Sequence, residues 1–169
     1  MTFKVCFLFL VGVFCVSAHA DVHTVLDNAA LLGKSAAELQ HQLAGLRAVR
    51  SPRRLSSGAV ETARLPNALC EGLHFEQTFF FAHQKLHQME LVLPDASADT
   101  TTRAQESLLE TLRLELGPEL ASFNAAPLPD SASWVSGDAD VMLYRSGRPE
   151  RPSLRIVIRQ RKLVNADEL

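Results

Sequence analysis

The apolar positions of this chain change period along its length, and the changes divide it into segments. From Val5 to Val16 they form one unbroken run, preceded by Lys4 and followed by Ser17-Ala18-His19-Ala20. That is the three-part layout of a secretory leader, and the small residues Ala18 and Ala20 mark cleavage before Asp21. The run is shorter than the roughly 20 apolar residues of a membrane span and ends at a cleavage site, so no permanent membrane anchor is expected. Cys15 follows Phe14, where a lipidated leader carries a small residue, which argues against acylation.

From Asp21 the period is helical. Val22, Val25, Leu26, Ala29 and Leu32 share one stripe, and Gly33 is placed as a left-handed stop. Ser35 and Glu38 have the spacing of a capping box, so a second helix is expected to start at Ser35 and carry Leu39, Leu43 and Leu46 inward over about three turns. Between Leu46 and Pro94 the period becomes alternating, with turn signals at Ser51-Pro52, Ser56-Ser57-Gly58, Pro66-Asn67 and Ala82 to Lys85. Leu73, Phe75, Phe79 and Phe81 share one face of a strand. Met89, Leu91 and Leu93 share one face of the next. A three-residue loop at His83-Gln84-Lys85 places Phe79 opposite Met89, whereas a two-residue turn at His83-Gln84 sets Phe79 against Gln88 and scatters the apolar face, so the longer loop is expected.

The second half repeats this order. A polar linker from Asp95 to Thr102 is expected to end in a capping box formed by Thr102 and Gln105. The helix that follows carries Leu108, Leu109, Leu112 and Leu116 and stops at Gly117-Pro118. Alternation then returns: a strand near Ser133 to Val135, a turn at Ser136-Gly137-Asp138, a strand over Val141 to Tyr144, a loop from Ser146 to Pro152, and a strand over Leu154 to Arg161. In the last strand Leu154, Ile156 and Ile158 point one way, and Arg155, Val157 and Arg159 the other. Residues 21–95 and 96–169 thus share one element order, which suggests an internal duplication within one compact domain. The fold class is α+β, with short helices on one face of an antiparallel sheet.

Cleavage leaves 149 residues, enough for a substantial single core. It removes Cys6, Cys15 and Lys4, so the exported chain carries 16 Lys and Arg against 19 Asp and Glu, a formal charge of −3. Cys70 alone cannot form an internal disulfide. It is expected to be a plain buried thiol, and the fold must stand on packing. Within this charge balance two basic clusters stand out: Arg47, Arg50, Arg53 and Arg54, then Arg148, Arg151, Arg155, Arg159, Arg161 and Lys162. Outside the cytoplasm nucleic acid is not an expected partner, and acidic envelope proteins or anionic envelope polymers are.

Candidate chemistry is sparse. His23, His41, His74, His83 and His87 show no ligand spacing on a common helix, since His83 and His87 straddle a hairpin, so no metal is expected. Asp138 and Asp140 lack the remaining positions of a calcium loop. No nucleophile elbow, zinc-protease motif or phosphate loop is present in the sequence, and no cofactor is implied. Phe80 lies opposite the core phenylalanines of its strand, and with the three-residue loop Leu86 and Val92 share its outer face. Unless a further layer of chain covers them, Phe80, Leu86 and Val92 form an exposed apolar patch next to Arg155 and Arg159, suited to a partner.

The segments LLGKSAAEL (Leu31–Leu39), LELGPEL (Leu114–Leu120), WVSGDADVMLY (Trp134–Tyr144) and LRIVI (Leu154–Ile158) resemble tandem helix-plus-sheet periplasmic folds, those of the β-lactamase inhibitory protein and related small outer-membrane-assembly lipoproteins. The chain departs from the first in lacking disulfides and from the second in lacking a lipidated cysteine. The resemblance implies a protein that binds other proteins through its sheet or loops and has no catalytic residues. The expected function is therefore that of a soluble periplasmic binding protein that binds or inhibits another envelope protein. An immunity protein for a secreted toxin is a narrower form of that reading, and a cell-wall hydrolase without a recognisable motif is the alternative.

Overall fold

A computed structural model of the protein describes residues 23–94, 96–123 and 128–161. The expected leader and the tail from residue 162 lie outside them.

Helix α1 (Val25–Ala29) and helix α2 (Ala36–Gln42) each begin with a complete capping box, Thr24 with Asp27 and Ser35 with Glu38. In both, the side chains answer backbone N–H groups that a helix start leaves open. Gly33 joins the two at φ +80°. The Ser35 start agrees with the sequence reading, but α2 spans seven residues, because Leu43 is already extended. Then follow β1 (Arg47–Ala48), β2 (Val60–Cys70), β3 (Leu73–Ala82) and β4 (Lys85–Val92). After helix α3 (Ala98–Leu116) come β5 (Ala121–Phe123), β6 (Ser131–Ser136), β7 (Ala139–Arg148) and β8 (Arg151–Gln160). The strands form one sheet of eight in the order β1-β2-β3-β4-β8-β7-β6-β5, antiparallel throughout. The fold is α+β: two four-stranded meanders, each preceded by helix, meet along β4 and β8.

Strands β2 to β4 and β6 to β8 each have a core face and an outer face. Ala63, Phe79, Met89, Ile158, Val141 and Trp134 form one row across the core face, and Leu91, Ile156, Leu143 and Ala132 form the next. Val25, Leu31, Leu39 and Leu43 of the first helical region and Leu108, Leu109 and Leu112 of α3 close over these rows in one cluster. Trp134 is core, and its indole donates to the Gly117 carbonyl at 3.0 Å. The second row has a polar gap at Gln77, which donates to Asn28 of α1 at 2.6 Å. Asn28 in turn donates to Thr24 O and toward the Cys70 sulfur. This buried chain of hydrogen bonds fixes α1 on the sheet. Burial pushes the Cys70 thiol up to about 12, so it is protonated and inert.

Four expectations require correction. Helix α3 is capped by Ser97, whose hydroxyl accepts from Thr100 N–H. Thr102 lies inside the helix and donates to Ala98 O, while Gln105 is buried against Pro129 O. Pro66-Asn67 is no turn. It is an irregularity within β2, where Asn67 takes φ +59° and the ladder shifts between Leu65 and Ala68. The expected loop from Ser146 to Pro152 is a hairpin whose pairing runs to Arg148 opposite Arg151.

The fourth concerns the β3–β4 turn. It has two residues, His83 and Gln84, both at positive φ, with Ala82 paired to Lys85. Phe79 still faces Met89, because a bulge at His87 lets Phe80 pair with Gln88 and Phe81 with Leu86. The expected register therefore holds for a different reason. The bulge also turns Leu86 to the core face, where it is fully buried in the main cluster.

Candidate functional site: the outer face of the sheet

The outer face is built from three rows that the register defines. Glu61, Phe80, Gln88, Arg159, Asp140 and Val135 form the first, Arg47, Arg64, Thr78, Glu90, Val157, Met142 and Ser133 the second, and Glu76, Val92, Arg155, Tyr144 and Ser131 the third. Among the described residues no helix lies on this side. What crosses it is the segment 49–59 between β1 and β2, which folds back over β2 and β3.

That segment is a strap pinned by Arg53. The Arg53 carbonyl accepts from Glu61 N–H at 2.8 Å, its Nε donates to Glu61 Oε2 at 2.8 Å, and its guanidinium stacks 5.3 Å from the centroid of the Phe80 ring. A turn at the end of the strap, closed by Leu55 N–H to Ala59 O and by Arg54 to Gly58 O, completes the cover. Phe80 is consequently 0 % exposed. The exposed apolar patch expected at Phe80, Leu86 and Val92 does not exist. Phe80 is on the outer face but covered by Arg53, Leu86 is in the core, and of the three only Val92 is partly exposed there, beside Arg155.

In its place the face carries arginines anchored by carboxylates, two of them buried and the third, Asp140, partly exposed. The Glu61 side chain is 0 % exposed and binds Arg53 and Arg64, each about half-exposed. Burial works to raise the Glu61 carboxyl, but the hydrogen bonds from Arg64 and Arg53 outweigh it and hold it below the usual range. Glu90, also buried, lies 3.8 Å from Arg53 and 3.5 Å from Arg155, and its Oε1 accepts from Gln88 at 3.1 Å. Asp140 Oδ2 accepts from Arg159 Nε at 3.2 Å, with Arg161 Nε 3.9 Å from Oδ1. Three carboxylates, on β2, β4 and β7, thus hold five guanidiniums.

How they hold them matters for chemistry. Arg64 and Arg159 are bound through Nε, so their Nη groups make no hydrogen bond among the described residues. Arg155 makes none at all there, only the ion pair with Glu90. Arg64 and Arg159 thus have Nε fixed and Nη unengaged among the described residues, and Arg155 is placed by charge 3.5 Å from Glu90; an arginine so placed gives up little on binding a carboxylate in bidentate fashion. Arg155 and Arg159, singled out in the sequence, are thus brought to one face. Arg53 showed only as a member of a basic cluster, and Arg64, Glu61 and Glu90 were not singled out, because alternation does not disclose that Glu61 is buried between Arg53 and Arg64 or that Glu90 faces the strap and β8. The only signal for them was charge at positions where strand alternation pointed outward.

At the edge of this face, beyond Val92, lies a cleft of about 630 Å³ between the end of β4 and the β7–β8 hairpin, lined by Glu76, Val92, Pro94, Ser97, Glu150 and Arg151 among others. The histidines do not converge. No group of three or more His, Cys, Asp or Glu able to hold a metal exists among the described residues, and no helix there is long and apolar enough to cross a membrane. No known protein family, curated protein or solved structure matches the chain.

Proposed function

We propose that the chain is an exported binding protein that docks another protein of the cell envelope through the outer face of its sheet. The observation that carries this reading is the set of arginines held by carboxylates, those of Glu61 and Glu90 buried, on a face over which no helix lies among the described residues. Holding a guanidinium in place with a buried carboxylate is expensive in desolvation, and for fold stability alone well-packed apolar residues serve as well or better. A rigid array of outward donors is what an interface uses, since arginine concentrates binding energy and its ordering cost is already met. The leader-like segment at residues 5–20 supports the envelope as the compartment.

The test is affinity capture by the exported chain from envelope extract, followed by binding measurements with the purified captured protein. Arg155→Glu should weaken that complex at least about tenfold, the scale of one lost charge-assisted contact. Arg103→Glu, on the exposed side of α3, should leave it unchanged. A complex indifferent to Arg155→Glu removes the outer face from the function.

A further inference from the structure

Resting on that reading, we infer that the outer face recognises an acidic segment of a partner protein laid along β8, with one carboxylate meeting Arg155, a second meeting Arg159, and an apolar side chain over Val157 between them.

Charge sets the sign of the partner. The outer rows contain Arg47, Arg64, Arg155 and Arg159, and with Arg53, which the strap lays over Phe80, and the adjoining Arg161 there are six arginines against four carboxylates, at 61, 76, 90 and 140. The face is therefore positive by two on a chain whose formal net charge is −2. An acidic partner is attracted to this face and turned away from the rest of the molecule.

Geometry sets the spacing. Arg155 and Arg159 are four residues apart on one strand and point the same way, so their backbone positions are separated by roughly 13 Å at 3.3 Å per residue. An extended segment matches that span with carboxylates four apart, and a helix comes nearest it on one face with carboxylates seven apart, roughly 10 Å at 1.5 Å per residue. Midway between the arginines is Val157, only 7 % exposed and flanked across the sheet by Glu90 and Met142. Tyr144 stands beside Arg155 with 37 % of its surface exposed and adds an aromatic edge.

The fixed placement favours a protein segment over a charged polymer. Each guanidinium of the strip is tied to a carboxylate at a defined position, Arg155 to Glu90 and Arg159 to Asp140. Discrete sites suit discrete carboxylates with a defined gap. A polyanion needs only a net positive surface, which lysine provides equally.

A library of random 16-residue peptides displayed on phage, selected on the exported chain, tests this whatever the identity of the partner. Selected peptides should carry paired Asp or Glu flanking an apolar residue at one of the two spacings. Their affinity should fall more than tenfold in Arg155→Glu/Arg159→Glu and remain unchanged in Arg103→Glu. Arg155→Lys/Arg159→Lys keeps charge and fold, and should still lose at least about fivefold, because the forked donors are gone. Selection of peptides without an acidic pair overturns the inference, as does full binding by the lysine variant or equal competition by dextran sulfate before and after the lysine exchange. If an envelope protein is captured through this face but acidic pairs are not selected, the segment inference fails and the binding role stands. If acidic pairs are selected but no envelope protein is captured, the site stands and the binding role fails.

Discussion

Glu61 is the residue on which the outer face turns, because it ties Arg53 to the sheet and fixes Arg64 at the same time. Replacing it with glutamine keeps the volume but removes the charge and directs a buried amide toward two cations. At pH 7 the loss should be about 1–3 kcal/mol, the range for charge-assisted hydrogen bonds. The pH dependence follows from the direction of its shift. The Glu61 carboxyl is held below its ordinary 4.5 in the fold, so its contribution is fully present above that pH and is lost as pH falls through the folded value. Urea unfolding of wild type and Glu61→Gln at pH 7 and again at pH 3 should therefore show a gap that narrows on acidification. A gap of the same size at both pH values means that Glu61 acts through packing alone. Glu119, held near 2 by Arg113, is present in both proteins, so the loss of stability on acidification that it confers cancels in the gap between them.

At the scale of elements, the β3–β4 hairpin shows both what the sequence discloses and what it conceals. Its two turn residues, His83 and Gln84, sit at φ +50° and +63°, a left-handed region that costs ordinary side chains about 1–2 kcal/mol each. Asn-Gly is the pair that adopts this geometry with least strain. The double change His83→Asn/Gln84→Gly should stabilise the chain by about 1 kcal/mol and raise the melting temperature by roughly 2–4 °C in a thermal scan. No rise, with the hairpin intact by hydrogen exchange, refutes strain at the turn. The pairing of Phe79 with Met89 was legible in the alternation of apolar residues, while the bulge at His87 that produces it was not, since nothing local distinguishes a bulged residue from a loop residue. The start of α2 was legible because Ser35 and Glu38 satisfy each other locally. The start of α3 was misread because Thr102 and Gln105 mimic that spacing while bonding Ala98 O and Pro129 O. The site was the least legible part. Arg155 and Arg159 showed as outward positions on a strand, but Phe80 is hidden by a strap 27 residues upstream, and the pairing of Glu90 with Arg155 crosses the whole second half of the chain.

The whole molecule is held by the seam between its halves. β4 and β8 pair over five residues on each strand, from Gln88 with Arg159 to Val92 with Arg155, and this puts the last strand of each meander at the centre of the sheet. Helix α1, from the first half, contacts β8 of the second, and one cluster runs continuously from Val25 and Phe79 to Trp134 and Ile158. Separating the halves would bare the long inner edges of β4 and β8 together with the apolar faces of Met89, Leu91, Ile156 and Ile158. A fragment of about 75 residues buries too small a share of its surface to offset that without disulfides. The seam also carries the site, since Glu90 stands on β4 and the arginines it faces stand on β8 and on the strap. Fragments 21–95 and 96–169 should therefore each lack a cooperative thermal transition. Mixed at equal concentration, they should regain both a transition and the Arg155-dependent binding, because the seam that closes the core also sets Arg155 against Glu90. A fragment that melts cooperatively on its own shows that the two meanders are independent units and that the outer face is assembled after folding.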